Sequence, residues 1–181
     1  MMKAREIAGA SLLAALAAAT EILPLDVPFP PLRFLTFDPT GIPLTLALYM
    51  YGLPSSLIST FIAAFIISLP RPPFKSANPI GGFFKGLAEA STLLGIWLAV
   101  KLFKKKSLLL ALTSGLSVRV IVMDIANYIL LPVLYGIHIN ATISLIPLIS
   151  IFNAIQGGIN ILMGYYFYKA VKKVYTFESF W

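Results

Sequence analysis

Cysteine is absent from the chain, histidine occurs once, as His138, and only 12% of the 181 residues are charged. Without thiols there are no disulfides, no thiolate metal sites and no cysteine nucleophile. A single imidazole leaves metal chemistry little to work with. No G-x-x-x-x-G-K-[ST] loop is present to hydrolyse ATP, and neither H-E-x-x-H nor G-x-S-x-G occurs. An ordinary soluble domain carries about 25% charged and about 45–50% apolar residues; here 59% of residues are hydrophobic and the mean hydropathy is +0.88. Such a chain cannot stay solvated as a disordered segment either. At about 20 apolar residues per bilayer crossing, the length admits roughly six or seven crossings and no separate soluble domain. The expected fold is an all-α integral membrane protein, residues 1–181 forming one membrane domain.

Helices are expected at about 4–23, 42–52, 54–69, 80–103, 108–135 and 143–168. The first run is too long for a cleavable signal core and is read as a retained helix. Between it and the second lies Pro24-Leu25-Asp26-Val27-Pro28-Phe29-Pro30-Pro31, continuing through Arg33 to Pro39; its prolines predict a long, stiff, partly apolar loop. Charges alternate between loops. Lys3, Arg5, Lys101, Lys104 to Lys106 and Lys169, Lys172 and Lys173 fall on one side, with Arg33, Arg71 and Lys75 opposite. The positive-inside rule then places both termini in the cytoplasm of a multi-pass cell-membrane protein. It also accounts for most of the net charge of +7, so nucleic acid is not an expected partner.

Lys85, Glu89, Arg119, Asp124, Asn127, Asn153, Gln156 and Asn160 interrupt the apolar runs, where each needs a partner or a watery cavity. With that topology, Lys85, Glu89, Asn127, Asn153 and Gln156 lie roughly 8–20 Å below the outer surface and converge on one outward-opening pocket. Asn153, Gln156 and Asn160 share a helix face by i, i+3, i+7 spacing, and Gly157-Gly158 permits close approach there. Lys85 and Glu89, at i, i+4, read equally well as an internal ion pair. The amides of helix 6 read equally as interhelical hydrogen bonds. Arg119 and Asp124, near mid-membrane and on different faces, are expected below the pocket in a structural, helix-bridging role. Phe34, Phe37, Phe83, Phe84 and Tyr128 are placed for an interfacial belt or for stacking on a planar ligand. Ala10, Ala14 and Ala18, with Ser11, Ala15 and Ala19 one step round, form a small-residue stripe suited to close helix packing, inside the monomer or against another subunit.

Three segments resemble the substrate-binding S components of energy-coupling factor (ECF) vitamin transporters, and most of all the riboflavin-specific members. They are Leu35-Thr36-Phe37-Asp38-Pro39-Thr40-Gly41-Ile42-Pro43, Asn127-Tyr128-Ile129-Leu130-Leu131-Pro132-Val133-Leu134-Tyr135 and Phe152-Asn153-Ala154-Ile155-Gln156-Gly157. In the last of these Gln156 stands where the family carries Lys. The resemblance implies a six-helix receptor without enzymatic activity and without a cofactor. It would capture riboflavin at the outer face and deliver it by toppling when bound to a transmembrane coupling protein and two cytoplasmic ATPase subunits. It further implies ligand contacts at Asn127 and Asn153, with Asp38 and its neighbour Phe37 in a loop that caps the pocket; Gln156, Lys85 and Glu89, by their depth, and Tyr128, by its place at the rim, complete the expected substrate-binding set. Docking to the coupling protein would fall on Ala10, Ala14 and Ala18. The alternatives are the same architecture with thiamine, pantothenate or a modified purine as ligand, an assembly subunit without a ligand, or an intramembrane enzyme using Glu89, Lys85 or Asp124.

Overall fold

The computed structural model describes residues 4–174 and 179–181, without the Arg5 side chain. Lys3 and that side chain, counted above toward topology, lie outside the described residues. The element order is α1 (Ala4–Ile22), β1 (Val27–Phe29), β2 (Leu32–Phe37), α2 (Gly41–Tyr51), α3 (Leu53–Ser68), α4 (Pro79–Phe103), α5 (Leu108–Tyr135) and α6 (Ile139–Val174). Helices α4, α5 and α6 are each long and apolar enough to cross a membrane, whereas α2 and α3 are shorter apolar helices. At 1.5 Å per residue α2 spans only about 16 Å. It is tolerated because it is buried: Leu44, Ala47, Leu48 and Tyr49 are fully enclosed by α1, α3 and α6. An all-apolar helix belongs in such a position.

The expected loop between α1 and α2 is a correction. Val27 pairs with Phe37 and Pro28 with Thr36 in an antiparallel hairpin, with an irregular register at Phe29. In a two-stranded ribbon every strand is an edge, so Pro28 loses no obligatory ladder bond. The aromatic and apolar side chains from Leu32 to Phe37 supply the strand character that the prolines mask. Phe29 and Leu32 pack on Leu131, Ile149 and Phe152, which seats the hairpin on α5 and α6.

The last helix also starts earlier and ends later than expected, at Ile139 and Val174. Pro147 sits inside it without ending it, and its lysine-rich last turns continue the helix beyond the apolar stretch. Helix α4 begins as its sequence suggests: Asn78 caps it by accepting from the Gly81 N–H at 2.8 Å, with Pro79 in the first turn. Antiparallel neighbours bring the ends of α1, α3 and α5 and the starts of α2, α4 and α6 to the end of the bundle that carries the hairpin. The lysines at 101, 104–106, 169, 172 and 173 gather at the opposite end. There Tyr49, Tyr165, Tyr168 and Trp181 pack ring against ring, with centroids 4.9–6.5 Å apart.

Candidate functional site

At the hairpin end a cavity of about 380 Å³ opens between α4, α5, α6 and the loops that precede α2 and α4. Helical periodicity builds its walls. Arg119, Met123, Asn127, Leu131 and Tyr135 recur every fourth residue along α5, Gly81, Lys85 and Ala88 line it from α4, and Phe152, Asn153 and Gln156 from α6. Phe34, Leu35, Thr36 and Asp38 close it from the hairpin and its exit, while Glu21, Asp26, Arg71 and Asn78 supply a polar flank. Three carboxylates (Glu21, Asp26, Asp38) thus face three cations (Arg71, Lys85, Arg119), and the lining carries no excess charge.

Each of these charges is tied to a distant element. The Lys85 Nζ donates to both Asp38 oxygens at 2.7 Å and lies 3.4 Å from Glu89 Oε1. The Gln156 Nε2 donates to the Asp38 carbonyl at 2.7 Å, so α4 and α6 both hold the segment that leads from the hairpin into α2. Burial alone would push the Asp38 carboxyl up; the Lys85 ammonium and the Thr40 hydrogen bonds outweigh it and hold the group below the usual aspartate range. On the polar flank Arg71 donates to Glu21 Oε2 at 2.9 Å, and Lys75 donates to Asp26 at 2.9 Å. Thr40 Oγ1 donates to Glu21 Oε1 at 2.7 Å.

Beneath the cavity lies a buried polar layer. Arg119 donates through Nη1 to Glu89 Oε1 at 3.1 Å and through Nε to Asn153 Oδ1 at 3.2 Å. Asn160 Nδ2 donates to both Glu89 oxygens, at 3.0 and 3.2 Å. Gly41 is required beside this layer: a Cβ there would collide with the Asn160 amide and sit 2.6 Å from Glu89 Oε2. Gly157 is required by Arg119, whose Cδ would lie 2.8 Å from an added Cβ.

The expected residues separate into two groups. Asp38, Lys85, Asn127, Asn153 and Gln156 line the cavity together. Phe37 stands behind the wall, its ring centroid 5.0 Å from that of Phe152, and Glu89 is fully buried in the layer below. Tyr128 lies on the outer surface of α5, 47% exposed, because one residue beyond Asn127 is a rotation of about 100° round the helix. Phe34 and Phe84 line the cavity, and Phe83 points outward. Arg119 bridges α5 to α4 and α6 as expected, with Glu89 as its ion partner, but it also reaches the cavity wall instead of lying wholly below it, while Asp124 accepts separately from Ser150 Oγ at 2.8 Å and bridges α5 to α6. Its i, i+8 spacing from Asn127 carried that information. Glu21, Asp26 and Arg71 were not singled out as site residues, and no local spacing links side chains 50 positions apart such as Glu21 and Arg71.

The small-residue stripe is corrected as well. Ala10 and Ala14 are buried within the chain, where the Ser59 hydroxyl donates to the Ala10 carbonyl at 3.0 Å, and Ala18 is half-buried. Small side chains there serve the packing of α1 on α3. The open side of α1 carries Ser11, Ala15 and Ala19.

No family model matches the chain, and no curated protein matches it. Among solved structures, it is similar to one described under "Structure and mechanism of the S component of a bacterial ECF transporter". The two share 27% sequence identity and superpose with a TM-score of 0.78, covering 94% of this chain and 96% of the other. Over nearly its whole length, therefore, the chain is similar in fold and sequence to the S component of a transporter rather than to an enzyme.

Proposed function

We propose that the chain is the substrate-binding subunit of an ECF-type importer in the cell membrane, and that it captures riboflavin at the hairpin end, which faces outward with both termini cytoplasmic. The observation that carries this reading is the cavity itself. It is of ligand-pocket size, combines apolar walls with a few fixed amides, and has balanced charge. A balanced lining suits a neutral flavin better than cationic thiamine or anionic pantothenate, each of which would want an opposite charge left over. Phe34, Phe84 and Phe152 give the cavity an aromatic lining suited to a flat ring system, and Asn127 and Asn153 offer hydrogen bonds.

Gln156 fits this reading despite replacing the cation of the riboflavin-specific pattern. Lys85, reaching from α4, holds the Asp38 carboxylate, and Gln156 holds the carbonyl of the same residue. The positive charge is still present in the cavity, carried by a different helix. Phe37, Glu89 and Tyr128 act through the wall or not at all. Delivery would require the coupling protein and two ATPase subunits, and the stripe proposed to meet the coupling protein is the open one, Ser11, Ala15 and Ala19, in place of Ala10, Ala14 and Ala18. Titration of riboflavin fluorescence with purified protein tests the assignment: saturable quenching near one ligand per chain, not reversed by thiamine or pantothenate, is expected. Unchanged fluorescence would remove riboflavin as the ligand.

A further inference from the structure

Arg119 is the deepest cavity-lining residue of α5, and its hydrogen bonding is lopsided. A guanidinium has five donors in a fixed fork, and a structural arginine beside a carboxylate commonly pairs with it through two parallel bonds. Here the Nε and Nη1 sides are heavily used: Nε reaches Asn153 Oδ1, and Nη1 is shared between Glu89 Oε1 at 3.1 Å, Thr92 Oγ1 at 3.2 Å and the Ala88 carbonyl at 3.3 Å. Glu89 spends its second oxygen on Asn160. Nη2 makes no hydrogen bond among the described residues, although the side chain is only 2% exposed. Two other cavity-lining atoms without partners, Arg71 Nε and Gln156 Oε1, are sealed inside protein; Nη2 is not among the sealed atoms, so it opens to the cavity.

Two turns along the same face, about 12 Å nearer the hairpin, Asn127 shows the complementary pattern. Its Nδ2 donates one N–H to the Met123 carbonyl at 2.7 Å, and its Oδ1 has no partner among the described residues. The α5 face therefore offers the unpaired Nη2 donor group at its deep end and the open Asn127 acceptor further up, with the Met123 thioether between them. The Arg119 charge is already balanced by Glu89, so the unmet demand at Nη2 is for a neutral acceptor and not for an anion.

We propose that Arg119 is a ligand-facing specificity residue that donates through Nη2 to a neutral acceptor oxygen, a carbonyl or hydroxyl, at the leading end of the substrate. Molecules that present only a donor there, such as an aromatic amine, would leave the guanidinium edge unpaired and be rejected. The inference rests on the flavin reading above and goes beyond it by naming the residue that the leading end of the ligand meets.

The test compares wild type with Arg119→Lys, which keeps a cation beside Glu89 but has no fork. Riboflavin, 2-thioriboflavin, 4-thioriboflavin and ribityl-free lumiflavin are the probes, read by fluorescence or absorbance titration. Loss of the acceptor that meets Nη2 is expected to weaken binding to wild type by about tenfold or more, and the same analogue should lose little further affinity for Arg119→Lys. A purely structural arginine would give the same analogue ratios in both proteins, which overturns the proposal. So does an Arg119→Lys protein that binds riboflavin as tightly as wild type. If the variant does not fold, the wild-type series decides: no analogue weakened by about tenfold overturns it. Failure of wild type to bind riboflavin at all removes the flavin reading and this inference together.

Discussion

The two ends of the bundle solve the same packing problem in opposite ways. At the lysine-rich end Tyr49, Tyr165, Tyr168 and Trp181 fill the space between α2 and α6, and Tyr49 is completely buried. At the hairpin end charged and amide side chains are cross-linked around a volume that protein does not fill. Filling a core with aromatic rings secures dispersion contacts. Surrounding an opening with ion pairs contributes less to stability, because desolvation offsets much of the attraction. The polar groups at the hairpin end are therefore better explained by what enters the cavity than by what they add to the fold.

Substitutions can break this contrast in order of expected effect. Glu89→Ala should be the most damaging, since it leaves Arg119 buried without its carboxylate, at a cost of about 3–5 kcal/mol; the fraction of monodisperse protein in detergent and its unfolding midpoint would show it. Tyr49→Ala removes a fully buried ring from the packed end, at about 3 kcal/mol. Its midpoint should drop while the affinity of the surviving fold for riboflavin stays the same.

Lys85→Gln should weaken riboflavin binding by about 2 kcal/mol, through release of the Asp38 segment. Adding Gln156→Lys to that variant should recover most of the loss, because the cation returns beside Asp38 from α6. A double variant no better than the single one would contradict the shared role of the two positions. The smallest effect concerns acidity. With the Asp38 carboxyl held below its usual range, its ion pair is fully present above that range and fades only as pH falls through the lowered value. The Asp38 contribution to riboflavin affinity, read as the ratio of wild type to Asp38→Asn, should therefore be flat from about pH 8 down to about pH 5, and a decline of that ratio within the window would place a different group at the latch.

Much of this arrangement was legible in the residues. The helix boundaries of α2 to α5 follow from apolar runs and their Gly and Pro punctuation, and the intramembrane amides announced the cavity because polar side chains in apolar helices demand partners. The hairpin was not legible, since Pro28, Pro30 and Pro31 outweighed the strand character of Leu32 to Phe37. Arg119 is only half legible: its depth along α5 gives the bridging role, and only the face it shares with Asn127 at i, i+8 puts it in the cavity wall. The Glu21, Asp26, Arg71 and Lys75 network joins α1, the hairpin approach and the turn before α4, and only the folded chain brings these together. The buried stripe on α1 shows the converse limit, because small residues at i, i+4 fix close packing without saying whether the neighbour belongs to the same chain.

On this reading the hairpin end receives a ligand and the aromatic end does not. Side-by-side riboflavin titrations of wild type, Asn127→Ala and Tyr49→Ala separate the two ends. Saturable binding to wild type is expected, with about tenfold weaker binding to Asn127→Ala from the loss of one buried hydrogen bond, and wild-type affinity in folded Tyr49→Ala. Equal affinities for wild type and Asn127→Ala, or a loss confined to Tyr49→Ala, would contradict it.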